Sequence, residues 1–428
     1  MFEQLFKLRE HGTNIRTEIL AGVTTFLTMS YIIFVNPEIL SSTGMDRNAI
    51  FVATCVAAII GSLIMAFVAN WPIGMAPGMG LNAFFAFTIV GTLGFTWQQA
   101  LGAVFISGII FLILTVSGIR SWIVDGIPRS LRSAIVAGIG LFLGLIALSN
   151  AQIVVANPAT KVGLGSLTEP AALYAILGFF IIAALDALKV RGAILIGILV
   201  ITLLSIQLGH SEFHGLMSLP PSIAPTFLQL DIMGALSMGV VHVILVLVLV
   251  EIFDATGTMI GVAKRANLIQ EGKPNRLNRA LLADSTAIVA GSMIGTSSTT
   301  AYVESASGVQ AGGRTGLTAL VIAAMFLLAL FFSPLAGVVP AYATAPALLY
   351  VACLMLRELG DIEWNDVTEA APAALTALAM PFTYSIANGL AFGFISYVVI
   401  KAVTGKFRDM HPATIIVAAL FIAKYTFE

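Results

Sequence analysis

The stretch IGMAPGMGLNAFFAF, residues 73–87, places three glycines and a proline between strongly apolar segments. Glycine and proline at this density end or kink a helix, yet the flanking residues are as apolar as a membrane span. Interrupted backbone is tolerated inside a bilayer only where it is buried in protein or lines a cavity, because its N–H and C=O groups need partners. The stretch therefore predicts a broken span at a functional site.

The composition of the whole chain is that of a polytopic membrane protein. Of its 428 residues, 58% are hydrophobic and only 10% are charged, and the mean hydropathy is +0.99. This leaves too little polar surface to cover a soluble globule of that length. The net charge of −1 and the lack of a basic block argue against a nucleic-acid partner.

A window of about 19 residues, the length of a membrane-spanning helix, detects fourteen apolar segments in the sequence. The predicted fold class is therefore an all-α polytopic membrane protein. We expect spans 1 to 14 at residues 19–40, 49–69, 74–90, 98–118, 130–148, 171–188, 191–208, 235–257, 281–296, 298–315, 316–333, 338–356, 370–386 and 387–403. A further apolar piece at 412–427 is short for a span and is expected to lie at the membrane interface.

The distribution of basic residues supports this number of spans. With residues 1–18 on the cytoplasmic side, 18 of the 21 lysines and arginines fall in cytoplasmic loops or at cytoplasmic span ends. Only Arg47 and Lys161 fall outside, and Lys424 lies in the unassigned tail. Such an asymmetry is typical of the correct topology, so we predict that both ends of the fourteen-span body are cytoplasmic. Short loops favour a bacterial inner membrane.

The fourteen spans divide into two sets of seven. The loop at 209–234 separates a first repeat, 19–208, from a second, 235–403, and residues 404–428 follow as a C-terminal segment. An odd number of spans per repeat inverts the second relative to the first, which is a common transporter design. A shift of about 221 residues aligns the broken span 3 with span 10 in the sequence. Span 10 is also short and is rich in glycine, serine and threonine. We expect half-helices or short strands at both breaks.

Carboxylates inside the predicted spans indicate the chemistry of the site. Glu251 and Asp254 lie three residues apart in span 8 and so share one helical face, and Glu304 lies in the broken span 10. A charge in the middle of a span costs about 3 kcal/mol on insertion scales, so such residues usually serve a function. Neighbouring carboxylates out of water favour protonation of at least one, which suits a carrier that takes up a proton with its substrate. A structural contact with nearby helices is the alternative role.

One more acid is expected to be structural. Asp284 is placed near the start of span 9, beside the basic loop 264–279, where an ion pair or helix cap would account for it.

Three motifs in order resemble the nucleobase:cation symporter-2 family, and within it the AzgA-like purine permeases. They are GMAPGMGLNAFFAF at 74–87, VEIFDATGT at 250–258 and TSSTTAYVESASGVQAGGRTG at 296–316. The resemblance covers essentially the whole chain. It implies proton symport of purine nucleobases, such as hypoxanthine, guanine or adenine, by elevator-type alternating access. It also implies a core domain (19–118 and 235–333), a gate domain (130–208 and 338–403) and a homodimer formed through the gate.

The resemblance also implies which residues bind the substrate. Asn82 matches the polar residue that the span 3 motif places at the purine, and Glu304 matches the span 10 glutamate that binds the base. Of Glu251 and Asp254, one contacts substrate and one handles the proton, in an order that the sequence leaves open. We expect the adjoining residues Ala83, Phe84 and Ser305 to line the same site. An amide and a carboxylate can pair with the ring N–H and acceptor atoms of a purine.

Other functions remain as alternatives. A carrier of the same fold for anions or other small solutes is one, although an acidic site without Lys or Arg in spans 3 and 8 argues against an anion. An intramembrane enzyme would need a nucleophile and base pair or a metal set, and the sequence has no such motif. A channel would not need a protonatable site. No cofactor or metal is expected; the coupling ion is taken to be H⁺ in preference to Na⁺, because the site offers carboxylates.

Overall fold

The computed structural model describes residues 2–213, 215–237, 241–266, 268 and 276–427. In the first half, two segments of π-helix, Met65–Ala69 and Phe84–Thr92, continue α4 and α5. The helices and strands of this half are α1 (Phe2–Phe6), α2 (Ile15–Met29), α3 (Ile32–Ser41), α4 (Arg47–Ile64), β1 (Met75–Pro77), α5 (Met79–Ala83), α6 (Trp97–Val116), α7 (Ile119–Gly126), α8 (Arg129–Asn150), β2 (Val154–Asn157), β3 (Lys161–Leu164), α9 (Pro170–Ala187) and α10 (Ala193–Gln207).

The second half is also mostly helical. Short 3₁₀ segments lie at Leu330–Phe332, Leu356–Asp361 and Phe407–Asp409. Its helices and strand are α11 (Ile232–Ser237), α12 (Val241–Arg265), α13 (Leu277–Ile294), β4 (Thr299–Ala301), α14 (Ser305–Gln310), α15 (Gly316–Ala329), α16 (Ser333–Val338), α17 (Ala341–Met355), α18 (Val367–Phe382), α19 (Ile386–Val403) and α20 (Pro412–Phe427).

The fold is that of an integral membrane protein. Within the described residues, nine helices are long and apolar enough to cross a bilayer. Shorter apolar helices lie at Met79–Thr92, Ala193–Gln207, Val367–Phe382 and Pro412–Thr426. Every one of the fourteen predicted spans contains at least one helix, and span 1 is made of two, α2 and α3. The inverted relation of the two repeats stays a prediction.

The two predicted breaks meet as a small antiparallel sheet. Strand β1 pairs with β4, so that Met75 faces Ala301, Ala76 faces Thr300 and Pro77 faces Thr299. The prediction allowed either half-helices or short strands, and the structure has strands followed by short helices. This pairing supplies partners to backbone groups that a continuous helix would have satisfied within itself.

The helices around this sheet pack in two groups. Helix α13 packs on α4 and α6, and α2 packs on α14 and α15. Separately, α8 packs on α17 and α18, and α17 also packs on α9. Small residues permit close approach within both groups; for example, a Cβ atom on Gly138 of α8 would lie 2.7 Å from the sulfur of Met380 in α18. The first group lies within the predicted core domain and the second within the predicted gate domain.

Candidate functional site

The broken segments are joined by hydrogen bonds beyond the strand register. The Gly78 amide donates to the Ser298 carbonyl at 2.9 Å, and the Tyr302 amide donates to the Gly74 carbonyl at 3.0 Å. The Tyr302 hydroxyl also donates to the carbonyl of Pro77 at 2.5 Å. A side chain at Gly78 would meet the methyl group of Thr300 at 2.9 Å, so a glycine is needed for this close approach. The two halves of the chain are therefore fixed to each other at this point.

Glu304 follows β4 and precedes α14, and it is held by a residue from span 1. The hydroxyl of Tyr31 donates to Glu304 Oε1 at 2.6 Å, and Tyr31 is only 1% exposed. Tyr31 lies in the break between α2 and α3. A short hydrogen bond to a carboxylate is among the stronger ones, so it fixes the orientation of Glu304. The side chain of Glu304 is half-buried.

Glu251 lies on α12 and is fully buried. Its Oε1 atom accepts hydrogen bonds from the hydroxyls of Ser298, at 2.8 Å, and Ser107, at 3.3 Å. Its Oε2 atom is buried and has no hydrogen-bond partner in the described part of the chain. A buried carboxylate oxygen without a partner is costly, so this atom is suited to hold a proton or to accept from a ligand.

Asp254 lies on the same helix, one turn beyond Glu251, as the spacing predicts. It is partly buried, and its carboxylate interacts electrostatically with those of Asp284 and Glu304. The predicted acids of spans 8 and 10 are therefore brought together. Like charges at this proximity repel each other, and uptake of a proton relieves the repulsion.

Asp284 lies deeper in its helix than the sequence predicts. Because α13 begins at Leu277, this residue lies two turns inside the helix and is fully buried, not at the start of the span. Its partner is Arg120 of α7, whose Nη2 atom lies 3.3 Å from Asp284 Oδ2, and Thr300 donates to the other carboxylate oxygen at 3.2 Å. We expected an ion pair or a helix cap for Asp284 beside the loop 264–279. The structure has an ion pair, but the basic residue is Arg120, from a distant part of the sequence.

Asn82 lies in α5 and is part of a buried polar network. Its Nδ2 atom donates to Asn36 Oδ1 at 3.0 Å, and Asn36 donates in turn to the hydroxyls of Thr54 and Thr296. Its Oδ1 atom has no hydrogen-bond partner among the described residues. The amide that was predicted to bind substrate therefore already joins span 3 to span 1, and one acceptor is left.

The remaining predicted site residues, Ala83, Phe84 and Ser305, differ in their polarity and in their hydrogen bonds. Ala83 and Phe84 are buried, at 0% and 1% exposure, directly after Asn82. The hydroxyl of Ser305 accepts from the Gly74 amide at 3.0 Å and so ties the two broken segments together. Ser305 therefore has a structural contact, and a contact with substrate stays a prediction for all three residues.

Sequence reasoning missed several partners of these residues. The missed side chains are Tyr31, Asn36, Ser107, Arg120 and Ser298. A signal was present for two of them, since Tyr31 and Asn36 are polar residues inside the apolar run of span 1. The serines resemble ordinary small residues of membrane helices, and nothing in the sequence distinguishes them.

Two cavities of about 790 and 380 Å³ lie elsewhere, around the β2–β3 hairpin. The larger is lined by residues that include Glu169, His210 and Tyr342, and the smaller by residues that include Lys161 and Tyr384. None of the predicted site residues lines either cavity. Glu251, in contrast, is fully buried on α12, which packs on β4.

Comparison with known proteins identifies relatives along the whole chain. The sequence pattern of a permease family, Xan_ur_permease, matches residues 16–392. The adenine permease AdeP of Escherichia coli (strain K12) is 52% identical over 428 residues, which cover 100% of this chain and 96% of that protein. The guanine/hypoxanthine permease PbuO of Bacillus subtilis (strain 168) is 45% identical over 427 residues, covering 97% of this chain and 98% of that one.

Among solved structures, the transmembrane domain of the cyanobacterial bicarbonate transporter BicA has the same fold. The TM-score is 0.64, with 16% sequence identity, and the match covers 90% of this chain and 97% of that one. At this identity the likeness concerns the fold alone.

Proposed function

The chain belongs to the permease family whose pattern it matches over residues 16–392, so it is a transporter and not an enzyme, and we propose that it imports purine nucleobases by proton symport. Relatives named as adenine and as guanine/hypoxanthine permeases cover nearly its whole length and support a purine substrate. A small change in a pocket alters the choice among adenine, guanine and hypoxanthine, so uptake of each has to be measured.

The observation that carries this proposal is the position of Glu304 beside the paired strands. Tyr31 donates to one carboxylate oxygen, and we propose that the carboxylate also accepts from a ring N–H of a purine. Glu304 follows the end of β4 by three residues, and β4 pairs with β1, so the proposed site includes backbone from both halves of the chain. A planar, mostly uncharged base with adjoining donors and acceptors suits such a site, whereas a bicarbonate or sulfate ion would be repelled by its acids.

Glu251 and Asp254 are our candidates for proton coupling. Both lie on α12, next to β4 and within electrostatic range of Asp284. A proton bound here lowers the repulsion among the carboxylates and so favours the loaded carrier. Glu251 additionally has a buried oxygen without a partner, which gives a bound proton a position. We leave open which of the two contacts the purine. Ala83, Phe84, Ser305 and Asn82 complete the proposed binding site.

For alternating access, we propose that the core domain moves as a unit against the gate domain. Helix α5 of the proposed core packs on α8 of the proposed gate. The contact is close, since a Cβ atom on Gly80 would lie 2.7 Å from a methyl group of Ile139. An apolar contact of this kind lets one domain slide on the other. Two hydrogen bonds also cross between the proposed domains, from Arg191 to the Thr24 hydroxyl at 3.2 Å and from Arg47 to the Val339 carbonyl at 2.9 Å, and the movement has to break them. We further propose a cytoplasmic N-terminus, location in a bacterial inner membrane, and a homodimer formed through the gate.

Uptake into cells that lack purine carriers tests the proposal. We expect one of hypoxanthine, guanine or adenine to accumulate, uracil not to, and accumulation to collapse with a protonophore but not on replacement of Na⁺. Glu304→Gln should abolish uptake at unchanged expression. The matched control is Glu169→Gln, the same change at an exposed helix start, which should leave uptake unaltered. Accumulation that depends on Na⁺ refutes proton coupling, and transport of anions without any nucleobase refutes the purine assignment.

A further inference from the structure

Arg120 is a buried cation that the proposed mechanism does not yet use. It lies on α7, the short helix between spans 4 and 5, and is 1% exposed. Its guanidinium donates to Asp284, to the Thr256 hydroxyl at 3.0 Å and to the Leu281 carbonyl at 3.2 Å. It also lies 4.1 Å from the centre of the Phe111 ring. One side chain thus connects α7 to spans 4, 8 and 9.

The charges that face Asp284 come from a small number of elements. Helix α12 contributes Glu251 and Asp254, and α7 contributes Arg120. The other elements packed on α13 are α4, α6, β1, β4 and the π-helical segment Met65–Ala69. These contain no charged residue except Arg47, which pairs with Glu38 at 2.8 Å. Within the described residues, Arg120 is therefore the one cation that contacts Asp284.

We propose that Arg120 is a positioning residue that keeps Asp284 ionised throughout transport, so that the coupling proton is carried on α12 and not on α13. The inference rests on the proposed proton symport and narrows the choice of proton carrier. A paired guanidinium stabilises the carboxylate form of Asp284. Among the described residues no cation forms an ion pair with Glu251 or Asp254, and Arg120 acts on Glu251 only through space. The fixed negative charge of Asp284 then favours a proton on its neighbours, because protonation there removes the repulsion.

The ion pair of Arg120 and Asp284 also holds α7 itself. Because this helix joins the last span of the first core segment to the first gate span, the buried ion pair fixes the start of the connection to the core. Its far end contacts α20, where the Thr414 hydroxyl donates to the Gly126 carbonyl at 2.8 Å. Loss of Arg120 alone would therefore leave Asp284 charged and unpaired beside this connection.

A double-mutant cycle on purified protein in proteoliposomes tests this role. Removal of one member of a buried ion pair strands the other charge, so we expect Arg120→Met and Asp284→Asn each to lower the uptake rate about 10-fold or more. In the double variant no charge is stranded, and we expect uptake to recover to within about threefold of the wild-type rate. The matched control is the exposed pair of Arg129 and Asp361, at 3.0 Å, whose Met and Asn variants should show no coupling.

The decisive readout is proton coupling in the double variant. We expect it to accumulate purine in response to an imposed pH gradient, because both carboxylates of α12 are still present to carry the proton. A double variant that only equilibrates purine across the membrane would show that Asp284 carries the proton and would overturn the inference. Equal, unimpaired uptake by both single variants would overturn it too.

A conservative variant keeps the test decisive if the double variant does not reach the membrane. Arg120→Lys keeps the positive charge but loses the planar set of donors, so we expect a lower maximal rate with an unchanged pH profile. A shifted profile would contradict the inference. Failure of the wild-type protein to accumulate any purine would instead refute the proposed function, and the two failures are therefore distinguishable.

Discussion

Replacement of Tyr31 by phenylalanine tests the geometry around Glu304 most directly. The change removes one hydroxyl, which donates to Glu304 Oε1 at 2.6 Å, and leaves the buried ring in place. A hydrogen bond to a charged group contributes about 1.5 to 3 kcal/mol. If the hydroxyl orients Glu304 for the purine, that range corresponds to about a 10- to 100-fold weaker substrate affinity, since about 1.4 kcal/mol is tenfold.

The assay is initial uptake of the preferred purine over a range of concentrations, with expression measured in the membrane fraction. We expect Tyr31→Phe to raise KM about 10-fold or more, in line with the lost hydrogen bond, while the maximal rate changes little. The control is Tyr174→Phe, which removes a hydroxyl that lies 3.2 Å from His210 Nδ1, within the proposed gate. Both tyrosines are largely buried, so the two changes are chemically matched.

An unchanged KM in Tyr31→Phe would refute the reasoning, because Glu304 would then bind the purine without this support or not at all. Uptake by Glu304→Gln separates these two explanations. A raised KM in Tyr174→Phe as well would indicate that loss of any buried hydroxyl disturbs the protein, and the effect of Tyr31 would not then report on the site.

Three further predictions concern stability, each measured as the melting temperature in detergent. Glu18 accepts hydrogen bonds from three backbone N–H groups at the start of α15, at 2.8 to 3.3 Å. Glu18→Ala should destabilise the protein by about 3 kcal/mol or more, since each donor left without a partner costs about 1 kcal/mol or more. A decrease in melting temperature no larger than that of a surface substitution would contradict this. Gly308→Ala should cost about 1 to 3 kcal/mol by overpacking α14 against α2, because its Cβ atom would lie 2.6 Å from a backbone oxygen; Gly337→Ala, which has open space, is the control. The Lys406 side chain, with hydrogen bonds from Thr368, holds the pKa of Asp366 below its usual range, so the stabilising contribution of Asp366 is present at pH 7 and is lost as the pH falls below the ordinary carboxyl value of about 4. The melting temperature of Asp366→Asn should therefore be lower than that of the wild type at pH 7, and the difference should shrink in acid; a constant difference would argue against this.

The spans and their breaks could be predicted because each leaves a strong local signal. Long apolar runs mark helices that cross a bilayer, and Pro77 with its neighbouring glycines marks the first interruption. The second break was found through its matching position and its small polar residues. Strand pairing between the breaks could not be chosen over half-helices, because three residues such as Met75–Pro77 carry no periodicity that distinguishes the two.

The partners of the acids could not be predicted, since they depend on contacts between distant parts of the chain. Arg120 and Asp284 are 164 residues apart in sequence. In addition, hydropathy places the start of span 9 at its first apolar residues, whereas the helix begins at Leu277 in a more polar stretch. This difference of four residues moved Asp284 from the expected edge of the span to its buried interior, where only an ion pair makes its charge tolerable.

The paired strands bear on how such a carrier can move. Gly74 and Gly78 of the first half, and Ser298 and Tyr302 of the second, exchange backbone hydrogen bonds at the centre of the site. Separation of the halves at this point would expose several buried backbone groups without water to receive them, at about 1 to 3 kcal/mol each. A rocking motion that opens the site between the two repeats is therefore disfavoured. Movement of the strands together with the carboxylates, as one body sliding on the α8 side of the protein, keeps every one of these bonds, and this physical constraint supports the proposed elevator motion.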